Sequence, residues 1–381
     1  MVAKVQNSTP DWREKRSVRL FLCGDVMLGR GIDQILPHPG DPHLHERFVK
    51  SATRYVEIAE TAHGPIPRPA DYAYIWGDSL DELDRMQVEA RIINLETSIT
   101  TSHDAALKGI HYKMNPLNVA ALTAAKVDCC HLANNHVLDW GRAGLVETLE
   151  TLRSAKILSA GAGLNAKQAA TPAVIELTSL GRVLVFGFGL PSSGIPADWA
   201  ATDTRPGINL LPDFSDRTIS RIAKQTRALA RTGDILVASL HWGGNWGYEI
   251  PRDQREFAHG LIETAGFAII HGHSSHHPKA IEIYQGKPIL YGCGDFITDY
   301  EGISGHEAYR GELALMFLSS LEVPSGILIE LKMIPFRIRR FRLERAGRED
   351  AFWLQATLDR ESRKFGTRVA LERDGSLSAH W

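Results

Sequence analysis

The sequence predicts an α/β fold in which strand ends deliver candidate metal ligands to one place. Three observations lead there. Short apolar runs of β-favouring residues alternate with amphipathic intervals of helical length, the pattern of strands separated by helices. Most of those runs break off at a carboxylate, an amide or an imidazole. The chain has 381 residues, 44% of them hydrophobic, enough to bury a large core. No repeat, low-complexity tract or convincing linker divides it. The expected organisation is a main domain over residues 1–345, with an insertion at about 37–80. A C-terminal helix and hairpin over 346–381 pack on the same domain.

Val18 to Cys23 reads as the first strand, ending at Gly24 and Asp25 in a glycine-rich loop that carries Met27, Arg30 and Gly31. Residues 37–69, rich in proline, histidine and charge, read as an insertion over the mouth of a site, with a helical interval around Glu46 to Thr61. Asp78 to Val88 has helical periodicity with an acidic start. Ala90 to Leu95 is the next strand and ends at Glu96. An alanine-rich helix over Asn115 to Lys126 precedes a strand, Val127 to Ala133, that closes on Asn134, Asn135 and His136. Asparagine has low strand propensity, so such a terminus is unusual.

Gly141 to Ser154 is an amphipathic helix and Ile157 to Ala160 a short strand. The following Gly161-Ala162-Gly163-Leu164-Asn165-Ala166 superficially matches a dinucleotide fingerprint, but no βαβ unit with an acidic ribose ligand follows it. Arg182 to Leu190 opens a second series of strands. Ser215 to Thr232 is an arginine-rich helix with a solvated face. Asp234 to Leu240 is a buried strand that ends at His241. Arg252 to Ala265 is a helix, and Ala265 to Ile270 a strand followed by four histidines within seven residues: His271, His273, His276 and His277. Pro288 to Tyr291 is a strand ending in Gly294 and Asp295. Glu312 to Leu343 alternates as long antiparallel strands, Phe352 to Lys364 is a helix, and Arg368 to Trp381 a hairpin around Asp374 and Gly375.

Composition excludes several classes. The formal net charge is −2 with both signs interspersed, so neither nucleic acid nor an anionic bilayer is an expected partner. Residues 1–18 are polar and charged, and the first apolar run is short and broken by Gly24 and Asp25. A secretory signal or spanning helix is therefore not expected. Cys23, Cys129, Cys130 and Cys293 lack metal-type spacing and sit in apolar runs, which reads as reduced core thiols in the cytoplasm.

Asp25, Glu96, Asn135, His136, His241, His273 and His276 all follow short apolar strands. In an α/β fold such residues converge at one edge of the sheets. Two carboxylates, an amide oxygen and imidazoles suit one or two divalent transition metals, Mn, Fe or Zn, better than a calcium cage or a thiolate zinc site.

The blocks Gly24 to Arg30, Asn94 to Thr97, Leu132 to Gly141, Gly161 to Asn165, His241 to Glu249 and Gly272 to Glu282, taken in order, resemble the CapA family. These are bacterial poly-γ-glutamate capsule synthesis proteins within the calcineurin-like metallophosphoesterase superfamily. The resemblance covers roughly residues 17–300 and implies a four-layer α/β/β/α sandwich of two mixed sheets with flanking helices. It implies Asp25 as a ligand of a first metal, Glu96 as the bridging carboxylate, and Asn135 and His241 on a second metal with His273 beside them. His276 completes the first site, with His271 or His277 as alternatives. His136 is implied as the general acid or the group orienting the leaving oxygen. Two departures stand out: Met27 replaces the histidine of an Asp-x-His block, and the last block is spaced Gly-His-x-x-His.

The activity so implied is that of a cytoplasmic metal-dependent hydrolase or transferase. It would act on a γ-glutamyl or peptide-like amide or ester, or on a phosphoester. Arg30 is a candidate for gripping a substrate anion. Trp242 and Tyr248, with Trp246 and Glu249 in the same block, are candidates for substrate contact. The competing reading is a non-catalytic polymer-binding or scaffold subunit with a structural metal. The lack of an anchor in the sequence favours the enzyme.

Overall fold

The strand Ser17–Val26 is buried along its whole length, as expected of a strand covered on both faces. The computed structural model, which describes residues 16–178 and 180–381, places it inside a ten-stranded sheet. Residues 1–15, most of the polar N-terminal stretch, lie outside the described residues. On one side of Ser17–Val26 run Ala90–Leu95, Cys129–His131 and Leu158–Ala160, all parallel. On the other side Leu313–Glu322 and Leu328–Arg339 continue antiparallel. The C-terminal hairpin, Arg368–Leu371 with Leu377–His380, extends that edge.

A second sheet of six strands has the parallel core Gly181–Gly189, Ile235–His241, Ile269–His273 and Lys287–Leu290. Antiparallel strands Ala173–Leu177 and Ile281–Tyr284 close its two edges. The side-chain period of two assigns the layers. Leu20 and Leu22 pack between the sheets with Ile92, Phe317, Val185, Val237 and Ile269. Phe21 faces the opposite way, into a core with Tyr55 and Val56 of helix Thr53–His63 and Leu145 of helix Gly141–Ser154. Phe186, Ala238 and Ile270 pack outward on Ile222 of helix Asp216–Leu229 and Phe257 of helix Arg252–Glu263. The result is the expected α/β/β/α sandwich.

Local differences from the sequence reading have physical causes. The helix expected around Glu46 to Thr61 begins only at Thr53, because Glu46 is held by Arg30 and Tyr55 in an irregular segment. The expected helix at Asn115 starts as a 3-10 turn, Pro116–Val119, before Ala120–Ala124. The strand expected to end at Ile270 runs on through His273. Its parallel register with Ile235–His241 carries Ser239↔His271 and His241↔His273, so two of the four histidines belong to the strand rather than to a loop. All four cysteines are free and buried. Among the described residues no helix is long and apolar enough to cross a membrane.

Candidate metal centre

The two parallel half-sheets present their C-terminal strand ends to each other, where α/β proteins bind ligands. Asp25 is registered against Asn94 on one side and Asp295 on the other. Gly24 makes this possible: a Cβ there would lie 1.7 Å from the carbonyl oxygen of Gly294. Only glycine lets the first strand approach residues 293–295 closely enough for Asp25 N–H to bond Gly294 O at 3.0 Å. The second sheet contributes His241 beside His273.

Two groups of ligand-type atoms result, and they share a residue. Asp25, His241 and His273 form one; Asp25, His276 and Asp295 form the other. In the first, the Nδ1 atoms of His241 and His273 face each other at 3.1 Å. In the second, His276 Nδ1 lies 3.0 Å from Asp295 Oδ1. Asp25 Oδ2 and Asp295 Oδ2 are buried without a hydrogen-bond partner, a costly arrangement for carboxylates. Burial, then the charge of Asp295, pushes the Asp25 pKa up. Burial, then the Asp25 and Asp295 charges, does the same to Glu96. The His276 pKa is also raised: burial opposes its charge, but Asp295 outweighs burial. Crowded, partly unpartnered carboxylates facing the imidazoles of His241 and His273, which burial keeps neutral, fit a divalent transition metal, which would supply the missing positive charge.

Around this core the amides act as struts. Asn94 Nδ2 donates to Asp25 Oδ1 at 2.6 Å, and Asn134 Nδ2 donates to Asn94 Oδ1 at 3.0 Å. Asn135 Oδ1 meets His241 Nε2 at 3.0 Å. Glu96, assigned the bridge from the resemblance, lies 3.9 Å from both His136 Nε2 and His241 Nε2; Asp25 is the carboxylate common to the two groups. His271 has both nitrogens engaged, with Ser239 Oγ and Cys23 O. His277 stacks on Tyr309. Of the three alternatives, His276 is the one that joins Asp25 and Asp295.

His136 has a separate support. Its Nδ1 lies 2.7 Å from Asp139 Oδ2, and its ring stacks on Tyr112 at 3.9 Å. Asp139 also accepts from Lys108 Nζ and the Tyr112 N–H, both at 2.7 Å. This fixes the imidazole so that Nε2 is the nitrogen nearer Glu96. Burial lowers the His136 pKa to about 4, with Asp139 opposing the shift. Asp139 and Asp295 were not singled out from the sequence, although each signal was there. Asp295 follows an apolar run as Asp25 does, and Asp139 sits three residues after His136.

A cavity of about 700 Å³ opens onto His136, Asn245, His276 and Asp295. Trp246 lines it, but Trp242 does not. Trp242 is 2% exposed and donates to Tyr291 O within the outer core, so it is a packing residue. Tyr248 packs against His277 and lies outside the lining, as does the exposed Glu249. Arg30 reaches the cavity wall, but its Nε and Nη2 bind Asp299 and its Nη1 binds Glu46 and Tyr55. Four of its five N–H donors are so engaged, which leaves no fork for a substrate anion.

The family model described as bacterial capsule synthesis protein PGA_cap matches residues 19–300. The chain belongs to this family. The match contains every residue of the two ligand groups, and the CapA resemblance read from the sequence holds. A Mycobacterium tuberculosis relative named "Probable polyglutamine synthesis accessory protein" is 48% identical over 94% of this chain and 95% of its own length. The Bacillus subtilis "PGA biosynthesis protein CapA" is 27% identical over 72% of this chain and 62% of its own. Among solved structures, the calcineurin-like phosphoesterase YfkN from Bacillus subtilis aligns with a TM-score of 0.43 at 11% identity, covering 82% of this chain and 87% of that one.

Proposed function

We propose that this family member is a metal-dependent hydrolase or transferase that cleaves or transfers at a phosphoester, ester or amide within capsule-type or poly-γ-glutamate biosynthesis. The observation that carries the reading is the pair of ligand groups sharing Asp25, with unpartnered carboxylate oxygens beside an open cavity. Asp25, His241, His273, His276 and Asp295 would hold one or two divalent ions, with Asn135 and Glu96 beside them. Such ions supply Lewis-acid stabilisation of negative charge developing on a phosphoryl or acyl oxygen. The remaining roles fall to side chains. His136, oriented by Asp139, holds or moves a proton at Nε2, which faces the same space as the ligands. Asn94 and Asn134 keep Asp25 in place. Tyr112 and Tyr300 line the cavity beside His136 and limit water on that side.

The relatives' names as accessory and biosynthesis proteins favour a second reading, a non-catalytic binding subunit with a structural metal. One experiment separates them. Metal content is measured by elemental analysis on protein purified without a chelating tag, for the parent, Asp25→Ala, His241→Ala and His136→Ala. The same proteins are screened against phosphoesters and γ-glutamyl amides. The enzyme reading expects about two equivalents of Mn, Fe or Zn in the parent, loss of metal in the Asp25 and His241 variants, and retained metal without turnover in His136→Ala. Metal without turnover in every protein supports the binding subunit. Absence of metal after reconstitution rejects both.

A further inference from the structure

The walls of the cavity beyond the metal centre differ from the centre itself. Ile110 and Ile303, from separate loops, are 45% and 51% exposed and both line the cavity. Tyr300 and Trp246 line the same cavity and pack against His276 at 5.6 and 5.3 Å, Trp246 also stacking on His306 at 3.8 Å. Uncovered isoleucines from two loops, facing one concavity with aromatic walls, form an apolar subsite of the kind that encloses a small ligand.

The charged groups of the same walls are already compensated. Arg30 is held by Asp299 and Glu46. Arg310 binds Glu312 and Asp350, and Arg337 binds Asp350. Glu301 accepts from the backbone N–H groups of Arg340 and Phe341 and pairs with His63. Glu307 at the exposed rim is itself an anion. A substrate carboxylate entering this region would lose hydration, and among the described residues the arginines that line it are already paired.

We propose that the cavity takes a small substrate whose reacting group at the metal centre is joined to an uncharged apolar or aromatic group, seated against Ile110, Trp246, Tyr300 and Ile303. This rests on the metal-centred reading above and narrows it. Among the candidate substrates it favours those with a neutral substituent over a run of free γ-glutamyl carboxylates. The family match ends at residue 300, so Ile303 and His306 lie beyond it.

Three phosphonates test the subsite on the full, Mn-loaded chain by isothermal titration: methylphosphonate, phenylphosphonate and 4-carboxyphenylphosphonate. Their shared phosphonate reads the metal centre, and their substituents read the wall. Phenylphosphonate is expected to bind about tenfold more tightly than the methyl compound, with the carboxyphenyl compound losing that gain. Ile303→Ser and Ile110→Ser, both at exposed positions that leave the core intact, are expected to erase the phenyl preference while methylphosphonate affinity stays. Equal affinities for all three, or tightest binding of the carboxyphenyl compound, overturn the subsite while sparing the metal centre. Binding of none rejects the metal-centred reading and the subsite with it.

Discussion

Arg30 stands at the cavity wall with a φ of +46°, its guanidinium shared between Asp299, Glu46 and Tyr55 and lying 3.9 Å from the Tyr55 ring centroid. Those partners are 16, 25 and 269 positions away in sequence, which is why an arginine after the first strand could be read as a substrate clamp. Its role here is to fix the wall. Removing one member of a buried ion pair leaves the others uncompensated, so Arg30→Met is expected to destabilise the chain by about 3 kcal/mol or more. Urea unfolding checks this. A clamp would instead leave stability unchanged and weaken methylphosphonate binding. Asp25, His241 and His273 were legible as ligand candidates because each ends a strand at a type of residue that strands otherwise avoid. Trp242 was misread for the opposite reason. It follows His241 directly, but strand alternation turns it to the other face of the sheet and into the core.

At the scale of elements, the approach of Ser17–Val26 to residues 293–295 decides whether the second ligand group exists. A methyl group on Gly24 would overlap Gly294 O, and neither backbone can retreat without moving Asp25 or Asp295. Gly24→Ala is expected to cost about 3 kcal/mol and to reduce bound metal by the share that Asp295 and His276 hold. A melting curve and elemental analysis on the same sample read both effects. The strand Ile269–His273 shows how much of an element the sequence reveals. Its apolar half was evident, but its histidine half was not, since imidazoles in a strand make sense only once His241 and Ser239 lie alongside in register. The same applies to the edge strand Ala173–Leu177, recognisable only by its pairing with Gly181–Gly189.

The whole molecule buries His131, His241, His271 and His273 where the two sheets meet. His131 and His271 are fully buried, and burial lowers their pKa values to about 3 and about 4. A histidine depressed in the folded state contributes stability that is present above its unfolded pKa, near 6.5, and lost as pH falls toward the folded value. Acidification from pH 7 to pH 5 is therefore expected to weaken the chain by about 1–2 kcal/mol for each such group. Urea titrations at the two pH values measure it, and His131→Gln is expected to flatten the dependence by its share. The sequence by itself determined the fold class and the family and named most of the candidate ligands, because hydrophobic periodicity and the residues that interrupt it are local properties of the chain. Only the tertiary structure decided that Asp25 is the carboxylate shared by the two groups, that His276 stands with Asp295, that Asp139 supports His136, that the Arg30 guanidinium is taken up by Asp299, Glu46 and Tyr55, and that Trp242 turns into the core. Those outcomes depend on which strand ends meet across two sheets, a matter of register, sheet packing and the close approach at Gly24, and no spacing along the chain encodes it.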